Sequence, residues 1–204
     1  MRTRRCGDTG LLVELDDNAE VHALAAAVRA ARIPGVVELV PALETLLVSY
    51  DPRHTDPDVL AARVGELPQA AALIADEREV EVPVRYDGED LGYVARHCGL
   101  SEREVVEAHT DTPWRVAFCG FAPGFAYLVD GDPRLEVPRR EESRLAVPTG
   151  AVALAGRFSS VYPRRSPGGW QLLGHTGLSL WDAAAKLPAR LVPGRRVRFV
   201  EVTG

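Results

Sequence analysis

Two arginines, a diglycine turn and a run of aromatic side chains carry the chemistry that can be read from this chain. Arg139 and Arg144 each offer a planar guanidinium that can hold a carboxylate or phosphate through two parallel hydrogen bonds. Gly168-Gly169 permits close backbone approach and could aim amide donors at a developing oxyanion. Phe121, Phe125, Tyr127 and Trp170 supply rings for an apolar wall that excludes water. Phe118 and Phe158 read equally well as core filling.

No self-sufficient catalytic signature accompanies them. The sequence has no GxxxxGK(S/T) loop, so nucleotide binding by this chain alone is unsupported. GxSxG, HExxH and paired Cys/His clusters are also missing from it. Cys6, Cys98 and Cys119 form no CxxC pair and no even framework, which suits a reducing, cytoplasmic setting. His22 and His54 lack a second ligand type at metal spacing and read as structural. Glu141-Glu142 reads as turn surface. The start MRTRRCGDTGLLVEL is basic, but its apolar run of three residues is too short for a signal segment or a membrane span.

The elements that must position these residues differ along the chain. From Pro113 to Gly177, Gly and Pro fill 16 of 65 positions, against 17 of the other 139. Long helices are excluded there, because Pro lacks an amide donor and Gly loses backbone entropy. Trp114, Phe118, Phe121, Phe125, Tyr127, Phe158, Tyr162 and Trp170 argue against disorder in the same segment. A sheet-rich structure with tight, residue-specific turns is what remains. Short strands are expected at 116–118, 151–155, 169–173, 178–181 and 196–200, a spacing that suits a closed barrel.

Upstream, Leu11 to Leu15 reads as a strand. Asn18 is expected to cap a helix whose Val21, Leu24, Val28 and Ala31 share one face, with Pro34-Gly35 ending it. Val36–Val40 and Thr45–Tyr50 read as a hairpin, and Asp56-Pro57 opens a second helix. Glu79 to Val84 alternates charge and valine as a half-buried strand does. The order βαββαβ predicts a ferredoxin-like α+β domain over residues 1–84. A further helix follows over Leu91, Val94, Ala95 and Cys98, ended by Gly99; Ser101 and Glu104 then form a capping box, and His109 closes that helix. Charge divides along the same line: residues 1–84 carry 8 Arg and 15 acids, residues 85–204 carry 16 Lys and Arg and 14 acids. This distribution, with a net charge of −5, argues against a general nucleic-acid binder, which carries a basic stripe.

Four ordered blocks then identify a resemblance. They are Gly120-Phe121-Ala122-Pro123-Gly124-Phe125-Ala126-Tyr127-Leu128, Val137-Pro138-Arg139-Arg140, Val147-Pro148-Thr149-Gly150, and Tyr162-Pro163 leading to Ser166-Pro167-Gly168-Gly169-Trp170-Gln171. In this order they resemble the allophanate hydrolase subunit 1, or KipI, family. The chain departs from the family pattern at Ser143, where Pro precedes the second Arg, at Thr149 and Ala151, at His175, and at Arg195.

The resemblance implies a cyclophilin-like β-barrel over residues 85–204. It implies a role as the B subunit of an ATP-dependent 5-oxoprolinase, whose A subunit phosphorylates 5-oxoproline. This chain and the C subunit, which is carboxyltransferase-like and also called allophanate hydrolase subunit 2, then open the ring to glutamate. ATP is used by the complex and no cofactor is bound by this chain. The substrate side implied is Phe121, Pro123, Gly124, Phe125 and Tyr127, then Arg139, Arg144, Pro148 and Gly150. Tyr162, Pro163, Ser166, Pro167, Gly168, Gly169, Trp170, Gln171 and Thr176 complete it; no catalytic base or nucleophile is assigned. Two other roles follow from the same family: action on allophanate, or inhibition of a sensor histidine kinase by binding it. Prolyl isomerisation rests on fold analogy alone.

Overall fold

The structure, a computed structural model, describes residues 1–68 and 79–203. The chain makes two compact units, Met1–Ile74 and Ala75–Gly204. No helix among the described residues is long and apolar enough to cross a membrane.

In the first unit the elements are β1 (Arg2–Cys6), β2 (Gly10–Glu14), α1 (Asn18–Ala31), β3 (Val36–Pro41), β4 (Thr45–Tyr50) and α2 (Pro57–Gly65). The strands form an antiparallel sheet in the order β1-β2-β4-β3. Leu11, Val13, Leu46, Val48 and Tyr50 share one face of it and bury against Val21, Leu24 and Val28 of α1 and Leu60 and Val64 of α2. Strand β1 has no apolar alternation to reveal it, since all five residues are exposed. Pairing with β2 through the turn at Gly7 makes it a strand.

The α1 cap lies one residue earlier than expected: Asp17 accepts from the Glu20 amide at 2.9 Å. Asn18 instead donates its side-chain amide to the carbonyls of Ala42 and Leu43, tying the helix start to the β3–β4 turn. Asp56 caps α2 as expected, accepting from the Asp58 and Val59 amides.

The second unit contains β5 (Glu79–Val84), α3 (Leu91–Cys98), α4 (Glu102–Asp111), β6 (Trp114–Cys119), β7 (Ala126–Val129) and β8 (Arg144–Val147). It continues with β9 (Ala151–Ala155), β10 (Phe158–Val161), β11 (Ser166–Gly168), β12 (Gln171–His175) and β13 (Arg196–Glu201). Seven strands form one sheet in the order β12-β9-β10-β7-β6-β13-β5. The chain leaving β5 turns back onto the far edge, where Arg85 and His175 exchange two backbone hydrogen bonds of 2.9 Å. Gly88 and Asp90 then donate to Leu173 and Leu172. The sheet is thereby a nearly closed barrel, within a mixed α+β chain.

This corrects the ferredoxin-like expectation. Strand β5 does not complete a βαββαβ layer with the first unit; it pairs in parallel with β13, Val80 beside Val197 and Val82 beside Phe199. Alternation identifies a strand but not its partner, and a parallel pair needs a long crossover. Here the intervening elements of the second unit supply it. Residues 178–181, expected as a strand, make only one bridge, Trp181 with Ala189. Pro188 beside it has no amide with which to extend a ladder.

Helices α3 and α4 end and begin as their residues dictate, with Gly99 left-handed at φ 68° and a complete Ser101–Glu104 capping box. Their buried faces, Leu91, Val94, Ala95, Val105 and Val106, pack with Val82, Val116, Leu128, Leu173 and Phe199 into the main core. Strand β9 is buried along its whole length. Val152 and Leu154 belong to that main core. Ala151, Ala153 and Ala155, on the alternate side, belong to a second cluster with Phe125, Tyr162 and Trp170. Three alanines leave room there for large rings.

Candidate functional site

That room is the site. A cavity of about 250 Å³ opens on the aromatic side of β9. Phe125, 1% exposed, is the hub of its wall and meets four rings edge to face: Phe121 at 5.2 Å, Tyr127 at 5.1 Å, Tyr162 at 5.3 Å and Trp170 at 5.6 Å between centroids. Edge-to-face pairs suit the ring quadrupole, so the wall is rigid as well as apolar.

Phe121 reaches this wall from a strained turn. Its φ is 66°, uncommon for a residue with a side chain, and the Ala122 amide donates to the Gly120 carbonyl at 2.7 Å across it. The turn presents the Phe121 ring at the cavity with 60% of the residue exposed.

Gly168, Gly169, Pro167, Ser143 and Arg139 complete the lining. The glycines are required by contact. A Cβ on Gly168 would collide with the Tyr162 hydroxyl, and one on Gly169 would lie 2.9 Å from Ser143 Oγ. Burial raises the Tyr162 phenol above its ordinary value, against the opposing pull of Arg139 and a hydrogen bond from the Trp170 backbone. Tyr162 is therefore a neutral hydroxyl facing the cavity. Arg139 is exposed, and its side chain makes no hydrogen bond or ion pair among the described residues.

Arg144 has a different position. Its Nη2 donates to both oxygens of Asp90, at 2.7 and 2.8 Å, and lies 3.3 Å from Glu89; its Nη1 donates to the Trp170 carbonyl. The side chain does not line the cavity. Asp90 also accepts from Arg140 at 3.1 Å and from the Leu172 amide at 2.7 Å. Asp90 occupies the N-cap position of α3 yet makes no side-chain cap bond. Its carboxylate is committed to partners 50 or more residues away.

The other residues expected at the site frame it rather than line it. Gly124 is a buried turn at φ 82° packed on Trp181 and Pro163, with Pro123 exposed beside it. Gly150, at φ 81°, donates to the Tyr162 carbonyl and accepts from Thr176 N–H; Pro148 accepts from Ala151 N–H. Thr176 Oγ1 accepts from the Leu178 amide. Ser166 pairs with Val147 across β11 and β8. Gln171 donates to the Pro138 carbonyl at 3.0 Å and so anchors the segment that carries Arg139.

The carboxyltransferase domain model for subdomains C and D matches residues 1–191. The chain belongs to that family. Over 98% of its length it is 40% identical to the 5-oxoprolinase B subunit of Escherichia coli O157:H7, covering 97% of that protein. It is 34% identical to the 5-oxoprolinase B subunit of Bacillus subtilis (strain 168), over 97% of this chain and 91% of that one. Among solved structures, TTHA0988 superposes with a TM-score of 0.83 at 40% identity over all of this chain. This chain spans 41% of the length of TTHA0988.

In this member of the carboxyltransferase subdomain C and D family, sequence reasoning passed over Asp90 and Ser143. Ser143 was visible only as the place where a proline is replaced. His109, expected to close a helix, lies fully buried in the main core. Its Nδ1 is 2.7 Å from the Tyr86 hydroxyl and its Nε2 is 2.9 Å from Ser159 Oγ. Burial pushes its imidazole down to about 3. Among the described residues no group of His, Cys, Asp or Glu could hold a metal ion.

Proposed function

We propose that this chain is the B subunit of an ATP-dependent 5-oxoprolinase in the cytoplasm. It acts with a second, carboxyltransferase-like C subunit to open activated 5-oxoproline to L-glutamate. The A subunit uses the ATP, and this chain binds no nucleotide of its own. The observation that carries the reading is the end-to-end likeness to proteins named as the B subunit of 5-oxoprolinase. The site adds chemical support, since a rigid apolar wall facing an unpaired guanidinium suits a small ring bearing a carboxylate. The barrel is proposed to be cyclophilin-like.

Opening a stable lactam needs carbonyl activation and a site closed to water. This cavity has hydroxyls and one cation but no nucleophile–base pair, so the partners supply the rest. The longer TTHA0988 chain supports a partnered arrangement, because the part matching this chain is there joined to further polypeptide. The test is glutamate release from 5-oxoproline with ATP, each component omitted in turn. Release is expected only when all are present. Full release without this chain would reject the reading.

A further inference from the structure

Four charged side chains meet around Asp90, and together with Arg139 their balance decides what the cavity can hold. Arg140 and Arg144 stand against Asp90 and Glu89, with N–O separations of 2.7 to 3.3 Å. Asp90 is 7% exposed and Arg144 15%, so their pairing is shielded from water. Arg144 directs Nη2 at both oxygens of Asp90 and Nη1 at the Trp170 carbonyl. Arg139 follows the opposite course and lines the cavity. Glu141 and Glu142 are exposed on the same loop and do not line it. Two cations are offset by two anions, which leaves the cavity one positive charge.

We propose that Arg139 holds the carboxylate of a small ring-bearing monoanion in this cavity, and that Asp90, together with Glu89, determines this charge preference by neutralising Arg140 and Arg144. The identity of that ligand as 5-oxoproline rests on the oxoprolinase reading above. The volume, about 250 Å³, lies just below the roughly 300–1,000 Å³ of sites for drug-sized ligands. A five-membered ring lies against Phe125, Tyr127 and Trp170. Its carboxylate faces Arg139, and Ser143 and Tyr162 also line the cavity. A dianion such as sulfate would call for a second cation, and Arg140 and Arg144 are committed to Asp90. Asp90 also bonds the Leu172 amide, so it positions the strand that follows Trp170. It is a positioning residue, acting on the ligand through the arginines.

The test is titration of the full chain alone with L-5-oxoproline, the neutral L-5-oxoprolinamide and sulfate, followed by tryptophan fluorescence and calorimetry. The acid is expected to bind at least tenfold more tightly than the amide or sulfate. Arg139→Ala should lose at least tenfold for the acid, with Arg139→Lys keeping part of it. Asp90→Asn should narrow the preference for the acid over sulfate at least tenfold, and Asp90→Glu should restore it. Equal binding of acid and amide by the unmodified chain overturns the proposal, as does failure of the acid to bind at millimolar concentration. An unchanged preference in folded Asp90→Asn removes the role given to Asp90. If the chain binds no 5-oxoproline yet glutamate release still requires it, the carboxylate subsite falls and the oxoprolinase reading stands. Binding by a chain that the assay does not require gives the reverse.

Discussion

Asp90 and Arg144, 54 positions apart, meet at 2.7 Å in a setting where each is largely withdrawn from water. The pair joins the entrance of α3 to strand β8 and, through the Trp170 carbonyl, to the cavity wall. Removing one partner of a buried charge pair leaves the other uncompensated. Asp90 would retain Arg140 and the Leu172 amide, so Arg144→Ala should destabilise the chain by about 1.5–3 kcal/mol, the scale of a lost charged hydrogen bond. Arg139→Ala, at an exposed and unpaired position, should stay within about 0.5 kcal/mol of the parent. Urea unfolding of the two variants side by side checks the contrast. Equal effects would mean that the two arginines do the same work.

Stability should also fall on the acid side because of His109. Its folded-state value, about 3, lies below the ordinary 6.5. Below pH 6.5 the unfolded chain binds a proton there that the folded chain refuses. The contribution is therefore complete above about pH 6.5 and is lost as pH falls toward 3, with a slope of at most about 1.4 kcal/mol per pH unit. In His109→Gln that slope should vanish between pH 6.5 and 4.5, even though the variant is less stable overall. Chemical unfolding across this interval measures it, and parallel profiles for the two proteins would exclude His109 as the source.

The parallel pairing of β5 with β13 sets the minimal second unit. A fragment of residues 79–204 should unfold cooperatively. One beginning at Tyr86 lacks β5 and the Arg85–His175 bridge, leaving the edge of β13 unpaired. That shorter fragment should aggregate or melt without a sharp transition. Thermal melts by circular dichroism compare them, and equal cooperativity would show β5 to be dispensable.

Leu145 lies on β8 with 95% of its surface exposed, on the strand paired with the glycine turn of the cavity. Leu145→Asp should leave stability within about 0.5 kcal/mol, as surface changes usually do. It should weaken association with the proposed C subunit at least tenfold. Surface plasmon resonance between the purified proteins gives the result, and unaltered affinity would place the partner elsewhere.

Which parts could be read ahead of the structure follows from the range of the interactions. The helix caps at Asp56, Gly99 and Ser101 were legible because each signal and its target lie within a few residues. Phe121, Phe125, Tyr127 and Trp170 were legible as one wall because large rings in a Gly/Pro-rich segment have few other places to go. Strand β1 was not, since its pairing with β2 is its only strand signal. Asp90 was not, since an Asp before a helix reads as a cap while its true partners come from β8, the loop before it and β12. Arg139 and Arg144 look alike in sequence; only the presence of Asp90 beside one of them separates an available guanidinium from a committed one.

Strand β9 is a wall one residue thick, with the main core on one side and the aromatic cluster that walls the cavity on the other. Volume added or removed at Val152 or Leu154 shifts the backbone that carries Ala151, Ala153 and Ala155, and with it the floor on which the rings rest. Pocket width and thermal endurance are thus linked through a single backbone. A relative that accepts a larger ring can evolve by trimming valines and leucines that no ligand ever meets, and its altered taste would then be accompanied by a lower melting point.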